Sequence, residues 1–227
     1  MRLRRIGVLL AVLALVALAG CSKDHAVTGP RFEPPPDPNS PNAVVRLFEW
    51  SWNHRDVDRL GQTLPAEFRF VFALADSAGN PYRDHPIDRP QLLACARHLF
   101  QGGGPEPPAT SIVLHFDPLL TVSPDSRPGR NPKWHREVLT LVDLTVRTPA
   151  EVFRVNGDAR FFVVRGDSAL IPPDLAALGF HPDSTRWYIE QWNDETHGSG
   201  GESARTPVFR ALPATNVTWG MILALYR

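Results

Sequence analysis

From Trp134 to Arg165 the chain alternates apolar and polar residues with a period of two, and this repeat excludes an all-helical fold. Val138, Val142, Leu144 and Val146 fall on one side of a long strand over Trp134–Thr148, and Val152–Arg165 reads as a second. Asn156-Gly157 interrupts the second strand and reads as either a hairpin turn or a bulge. Two further stretches alternate in the same way. Phe68, Phe70, Phe72 and Leu74 share one face, and Ile112, Leu114 and Phe116 share another. Arg186–Asn193 is a last strand, and Val217–Tyr226 is apolar enough to be strand or helix.

Helices are predicted before and between these strands. Ser40 can cap a helix with Pro41 in its first turn, running to about His54, with Val44, Leu47 and Phe48 at helical spacing. Asp56 caps a short second helix over Val57–Leu64, stopped by Pro65. Asp88 and Pro90 begin a third, in which Leu92, Cys95, Ala96 and Leu99 form a stripe and Gly102-Gly103-Gly104 the end. Cys95 lies on that stripe and is read as a small core residue. Another short helix is expected within Ser168–Phe180, and His197–Pro207 reads as a loop. The resulting order is α+β, as one domain over residues 41–227.

The N-terminus carries an address. Arg2, Arg4 and Arg5 precede a charge-free apolar run from Ile6 to Ala19, too short to span a bilayer and ending in small residues. Leu18-Ala19-Gly20-Cys21 resembles a lipobox, which implies cleavage after Gly20 and acylation of Cys21. Ser22 follows the cysteine where an inner-membrane retention signal would place Asp. The expectation is therefore a lipid anchor in the outer membrane, facing the periplasm. Residues 21–40 are proline-rich and read as a tether or a recognition segment. Loss of residues 1–20 removes three arginines and leaves 21 basic against 24 acidic side chains, a net charge of −3. This balance excludes a nucleic-acid partner. With Cys21 acylated, Cys95 has no intramolecular disulfide partner.

Helices first, then a strand pair interrupted by a helix, then long antiparallel strands resembles the cone-shaped fold of nuclear transport factor 2-like proteins. Ketosteroid isomerases and SnoaL-like cyclases belong to that group. The phrases Val44–Trp50, Phe161–Ala169 and Arg186–Trp192 resemble those of uncharacterised bacterial lipoproteins of the same layout. The resemblance implies N-terminal helices packed in a strongly curved antiparallel sheet, with a pocket at the wide end. It does not imply one activity, because catalysis, binding and assembly all occur on this fold.

An isomerase of this class needs a carboxylate base and an oxyanion partner. The inward faces expected for the first two strands carry no titratable group, so no catalytic residue is assigned. The remaining constellation is Tyr188, Glu190 and Trp192, which alternate onto one face of the last strand. If that face lines the cone, they form a binding wall and Glu190 is a candidate base, with His135, Asp143 and Arg165 able to approach. If Trp187 and Ile189 face inward instead, Glu190 is a solvated charge. No His falls at zinc-ligand spacing with Cys or another His, so no metal and no cofactor is expected. Arg165-Gly166-Asp167 reads as a turn, and Trp50 and Trp52 lie on opposite sides of the first helix.

The leading expectation is a lipid-anchored envelope protein with a non-catalytic domain, binding a small apolar ligand or an envelope protein. Its rivals are a SnoaL-like isomerase or dehydratase and a structural envelope subunit that dimerises through its sheet.

Overall fold

The structure, a computed structural model, describes residues 33–227 apart from 75, 83, 85 and 198–213. The expected signal segment, Cys21 and most of the proline-rich stretch lie outside the described residues, as does nearly all of the expected 197–207 loop. Every described helix and strand falls within the unit Pro35–Arg227.

Each helix starts where a side chain can satisfy its open N–H groups. Ser40 accepts from Ala43 N and opens α1, Pro41–His54, with Pro41 in the first turn. Asp56 accepts from Arg59 N and opens α2, Val57–Gly61, which ends three residues earlier than the sequence suggests. A short strand β1, Arg69–Val71, follows, then a 3-10 turn at Ser77–Tyr82 and β2, Ile87–Asp88. Asp88 closes a capping box with Gln91 and opens α3, Arg89–Gln101. Cys95 is buried on this helix, and burial pushes its thiol up to about 11.

The strands β3, Ser111–Phe116, β4, Thr121–Pro124, β5, His135–Arg147, and β6, Val152–Arg165, come next. A short α4, Pro173–Ala177, leads to β7, Trp187–His197, then β8, Ala214–Asn216, and α5, Trp219–Leu225. The open sheet runs β2-β1-β7-β6-β5-β3, with β4 beside β5 and β8 beside β6. Its three long strands are antiparallel, while β1 joins β7 in parallel.

The sheet curls, because α1 touches β3 near one end of it and β7 toward the other, as well as β5 and β6 between them. Helix α1 also blocks an edge. Asn53 Oδ1 accepts from Leu114 N and Asn53 Nδ2 donates to Leu114 O, at 2.7 and 2.9 Å. Glu49 Oε1, one turn earlier, accepts from Phe116 N. These side chains occupy the bonding positions that another strand would use.

Two expectations need correction, and one left open is resolved. The 68–74 strand shrinks to Arg69–Val71; Phe68, Phe70 and Phe72 are buried, but Leu74 is 88% exposed because the chain leaves the sheet before it. Asn156-Gly157 makes no hairpin, since β6 runs through it paired to β5 and β7 on both sides. Gly157 has φ of 140°, and a Cβ there would lie 2.7 Å from Thr196 Cα, so the close approach of β7 requires glycine. The C-terminal apolar segment resolves into helix α5.

The concave side is packed with rings. Trp219 of α5 lies 4.4 Å from Trp192, 4.9 Å from Trp52 and 6.0 Å from Phe48, measured between centroids. Phe161 joins Phe48 at 5.4 Å, and Phe116 joins Phe161 at 5.5 Å. Trp52 is fully buried and Trp50 only partly, stacked on His54 at 3.8 Å. The proline-rich stretch already contributes at its end, where Pro38 is buried and its carbonyl accepts from Trp187 N at 2.8 Å.

Candidate functional site

Strand β7 does not hold its expected triad on one face. Phe162 pairs with Gln191 and Val163 with Ile189, so Glu190 is the extra residue of a β-bulge. The bulge resets the alternation. Trp187 and Ile189 join the main core before it, and Trp192 joins the same core after it. Tyr188 points to the other face, into a small cluster with Val164, Ala169 and Leu175. Tyr188 and Trp192 therefore lie on opposite sides of the sheet. Glu190 is neither a pocket wall between them nor a solvated charge.

Glu190 is 6% exposed on the outer face and sits in an ion cluster. Arg127 Nη2 lies 2.6 Å from Glu190 Oε2 and 2.7 Å from Asp125 Oδ2, while Arg130 Nη2 lies 2.6 Å from Glu190 Oε1. Asp125, Arg127 and Arg130 belong to the segment after β4, which crosses the outer face toward β7. Arg127 rests over the Phe162 ring at 4.3 Å and donates to Gln191 Oε1. His135, at the start of β5, points Nδ1 at Glu190 Oε2 from 3.6 Å. Burial is the largest influence on His135 and pushes its pKa down, a shift that the charges of Arg130 and Arg127 reinforce. Burial alone would raise the Asp125 carboxyl, but the bonds from Arg127 outweigh it and hold Asp125 below its usual range. Of the other suggested neighbours, Asp143 pairs across β5 with His115 of β3, and Arg165 is engaged by Asp167 within its own turn.

A second site lies where β7 outruns β1. Here a cleft of about 840 Å³ takes its apolar lining from Val71, Phe72, Ala73, Leu74 and Met221. Its lining also includes Asp76, Asp158, Asp194, Glu195 and His197. Asp194 continues the inward face of β7 below Trp192 and caps α5. Its Oδ1 accepts from Thr196 N at 3.0 Å, and its Oδ2 accepts from Gly220 N at 2.7 Å. Thr196 Oγ1 accepts from Trp219 N and Thr218 Oγ1 from Met221 N, so three side chains satisfy three successive N–H groups of α5. The Thr218 hydroxyl also donates to Asp76. Burial drives the Asp194 carboxyl up to about 6, against the hydrogen bonds that favour its charged form and with help from the Asp76 charge. Such a group can exchange a proton near neutral pH.

Sequence reading missed Asp194 because it lies beyond the expected strand end at Asn193. It named Glu190 and His135, which the structure does bring together, but missed Asp125, Arg127 and Arg130, which lie some 60 positions before Glu190 in a segment that reads as a loop.

No protein-family model matches the sequence, and no curated protein matches it. Solved structures do resemble the fold. One is a provisionally named scytalone dehydratase from Novosphingobium aromaticivorans, at TM-score 0.45 and 10% identity, covering 75% of this chain and 91% of its own. Another is a conserved protein from Planctomyces limnophilus, at TM-score 0.44 and 11% identity, covering 69% and 92%. A nuclear transport factor 2-like superfamily protein from Salmonella enterica serovar Typhimurium has TM-score 0.40 and 13% identity, covering 74% and 92%. Likenesses at this level assign no activity, ligand or partner to the chain.

Proposed function

We propose that this chain is a lipid-anchored envelope protein whose α+β domain binds a small apolar ligand or a protein segment without transforming it. The observation that carries the reading is the ring-packed concave side. Trp219, Trp192, Trp52 and Phe48 fill the space in which a cone-shaped enzyme would enclose its substrate. Binding is then left to the cleft beside β7, whose apolar wall includes the exposed Leu74 and the partly exposed Met221. Asp194 is committed to holding α5 by bonds to both carboxylate oxygens, which opposes a role as a free base.

The test is a titration of the full chain with the neutral, environment-sensitive dye Nile red. The expected result is saturable binding at one dye per chain, weakened at least about tenfold by Met221→Glu, which places a charge against the apolar wall. Binding that is unsaturable, or unchanged in Met221→Glu, would overturn the assignment to this cleft.

A further inference from the structure

We infer a divalent-cation site formed by Asp125, His135 and Glu190 on the outer face of the sheet, with Zn²⁺ as the cation whose chemistry fits it best. One donor atom from each residue can be chosen so that all three lie within 4.8 Å of one another. The distance from His135 Nδ1 to Glu190 Oε2, 3.6 Å, is too long for a hydrogen bond. It is close to the separation of two ligands on one ion: bonds of 2.0–2.1 Å in a tetrahedron place neighbouring donors about 3.3 Å apart. An imidazole nitrogen with two carboxylates suits Zn²⁺ and leaves a fourth position for water.

Two buried donor atoms beside the cluster have unmet bonding capacity. His135 Nδ1 and Glu67 Oε2 are both buried with no hydrogen-bond partner among the described residues. Both belong to this neighbourhood, since the Glu67 carboxyl feels the charges of Glu190 and Arg130. A buried nitrogen lone pair with no hydrogen-bond donor costs free energy, and a metal ion would bind that lone pair as a Lewis acid.

Arg127 marks the position. Its Nη2 bridges the same two carboxylates, Asp125 Oδ2 and Glu190 Oε2, that the ion would bridge. The cluster is therefore balanced without metal, with two carboxylates facing two guanidinium groups, and an entering ion must displace Arg127. The geometry permits this. The Arg127 side chain is 19% exposed and that of Arg130 36%, whereas those of Asp125 and Glu190 are 0% and 7%. The ligands are thus fixed by burial, while the competing cations border on solvent. Because Asp125 lies on the crossing segment, His135 on β5 and Glu190 in the β7 bulge, a bound ion would fasten that segment to both strands.

The test uses the full chain, stripped with a chelator and titrated with Co²⁺ and then Zn²⁺ as the only added ligands. The expected result is one Co²⁺ per chain with visible absorption bands, displaced by Zn²⁺. His135→Ala should weaken binding at least about tenfold, as loss of even an indirect ligand contact does. Arg127→Gln should tighten it by a similar factor by removing the resident competitor. This opposite sign separates a metal site from general disruption of the fold, and it keeps the test decisive if His135→Ala does not fold. Absence of stoichiometric binding in both the unaltered chain and Arg127→Gln would overturn the inference, as would undiminished binding in a folded His135→Ala.

Discussion

Asp194 serves two opposed demands. Its carboxylate oxygens accept from Thr196 and Gly220, which favours the charged form, but it stands almost fully buried, which favours the neutral one. Burial prevails, and the carboxyl titrates at about 6. A carboxyl raised in the folded state contributes stability that is present below its unfolded pKa, near 4, and lost as pH rises through 6. The shift corresponds to a loss on the order of 2–3 kcal/mol. Asp194→Asn removes this titration, though its single amide oxygen cannot accept from both Thr196 N and Gly220 N as the carboxylate does, so the change costs stability of its own. The expected outcome of urea unfolding is that the variant's deficit shrinks by on the order of 2 kcal/mol between pH 4 and pH 7. A deficit independent of pH would show that Asp194 does not titrate in this range. Glu190 shows the limit of reading at this scale. Its residue type and strand were legible, but its partners Arg127 and Arg130 lie some 60 positions away and left no local signal.

Among the elements, those with their own chemical punctuation were legible. Ser40, Asp56 and Asp88 cap the three helices that the sequence places behind them, and β5 and β6 keep the alternation that announces them. The bulge in β7 was not legible, because it arises from pairing with β6 and because Tyr188, Glu190 and Trp192 look like an ordinary alternation on their own. Helix α5 is short and starts with Thr218 as its cap, but its helical state depends on tertiary contacts with Asp194 and Thr196. Gly220 makes that dependence testable. Alanine is the better helix former by about 1 kcal/mol, yet a Cβ at Gly220 would lie 2.4 Å from Phe72 Cδ1. Packing opposes propensity here. Gly220→Ala is expected to destabilise the domain by about 1–3 kcal/mol, the usual cost of overpacking, as read by chemical denaturation. A stabilised variant would mean that propensity governs α5 and that Phe72 yields freely.

At the scale of the whole molecule, the α+β layout follows from the order of capped helices and long strands, so it was legible before any contact was known. The filled concave side was not, since Phe48, Trp192 and Trp219 come from opposite ends of the chain and each alone reads as an ordinary core residue. The core built around those rings lies within the described residues, and no helix among them is long and apolar enough to cross a membrane. The proposed attachment is through the N-terminal motif. In that proposal Cys21 would supply the thiol to be acylated, and a proline-rich stretch separates it from α1. A single acyl chain binds membranes only marginally, whereas two or more hold a protein stably. Cys21→Ala should thus release the protein from the membrane fraction and abolish metabolic labelling by fatty acid, while its thermal unfolding midpoint stays within a few degrees of the unaltered chain. A Cys21→Ala protein that remains labelled and sediments with membranes would place the anchor elsewhere. If it were released but unfolded at a much lower temperature, the domain would depend on its anchor for stability, and the independence argued from its ring-packed interior would fail.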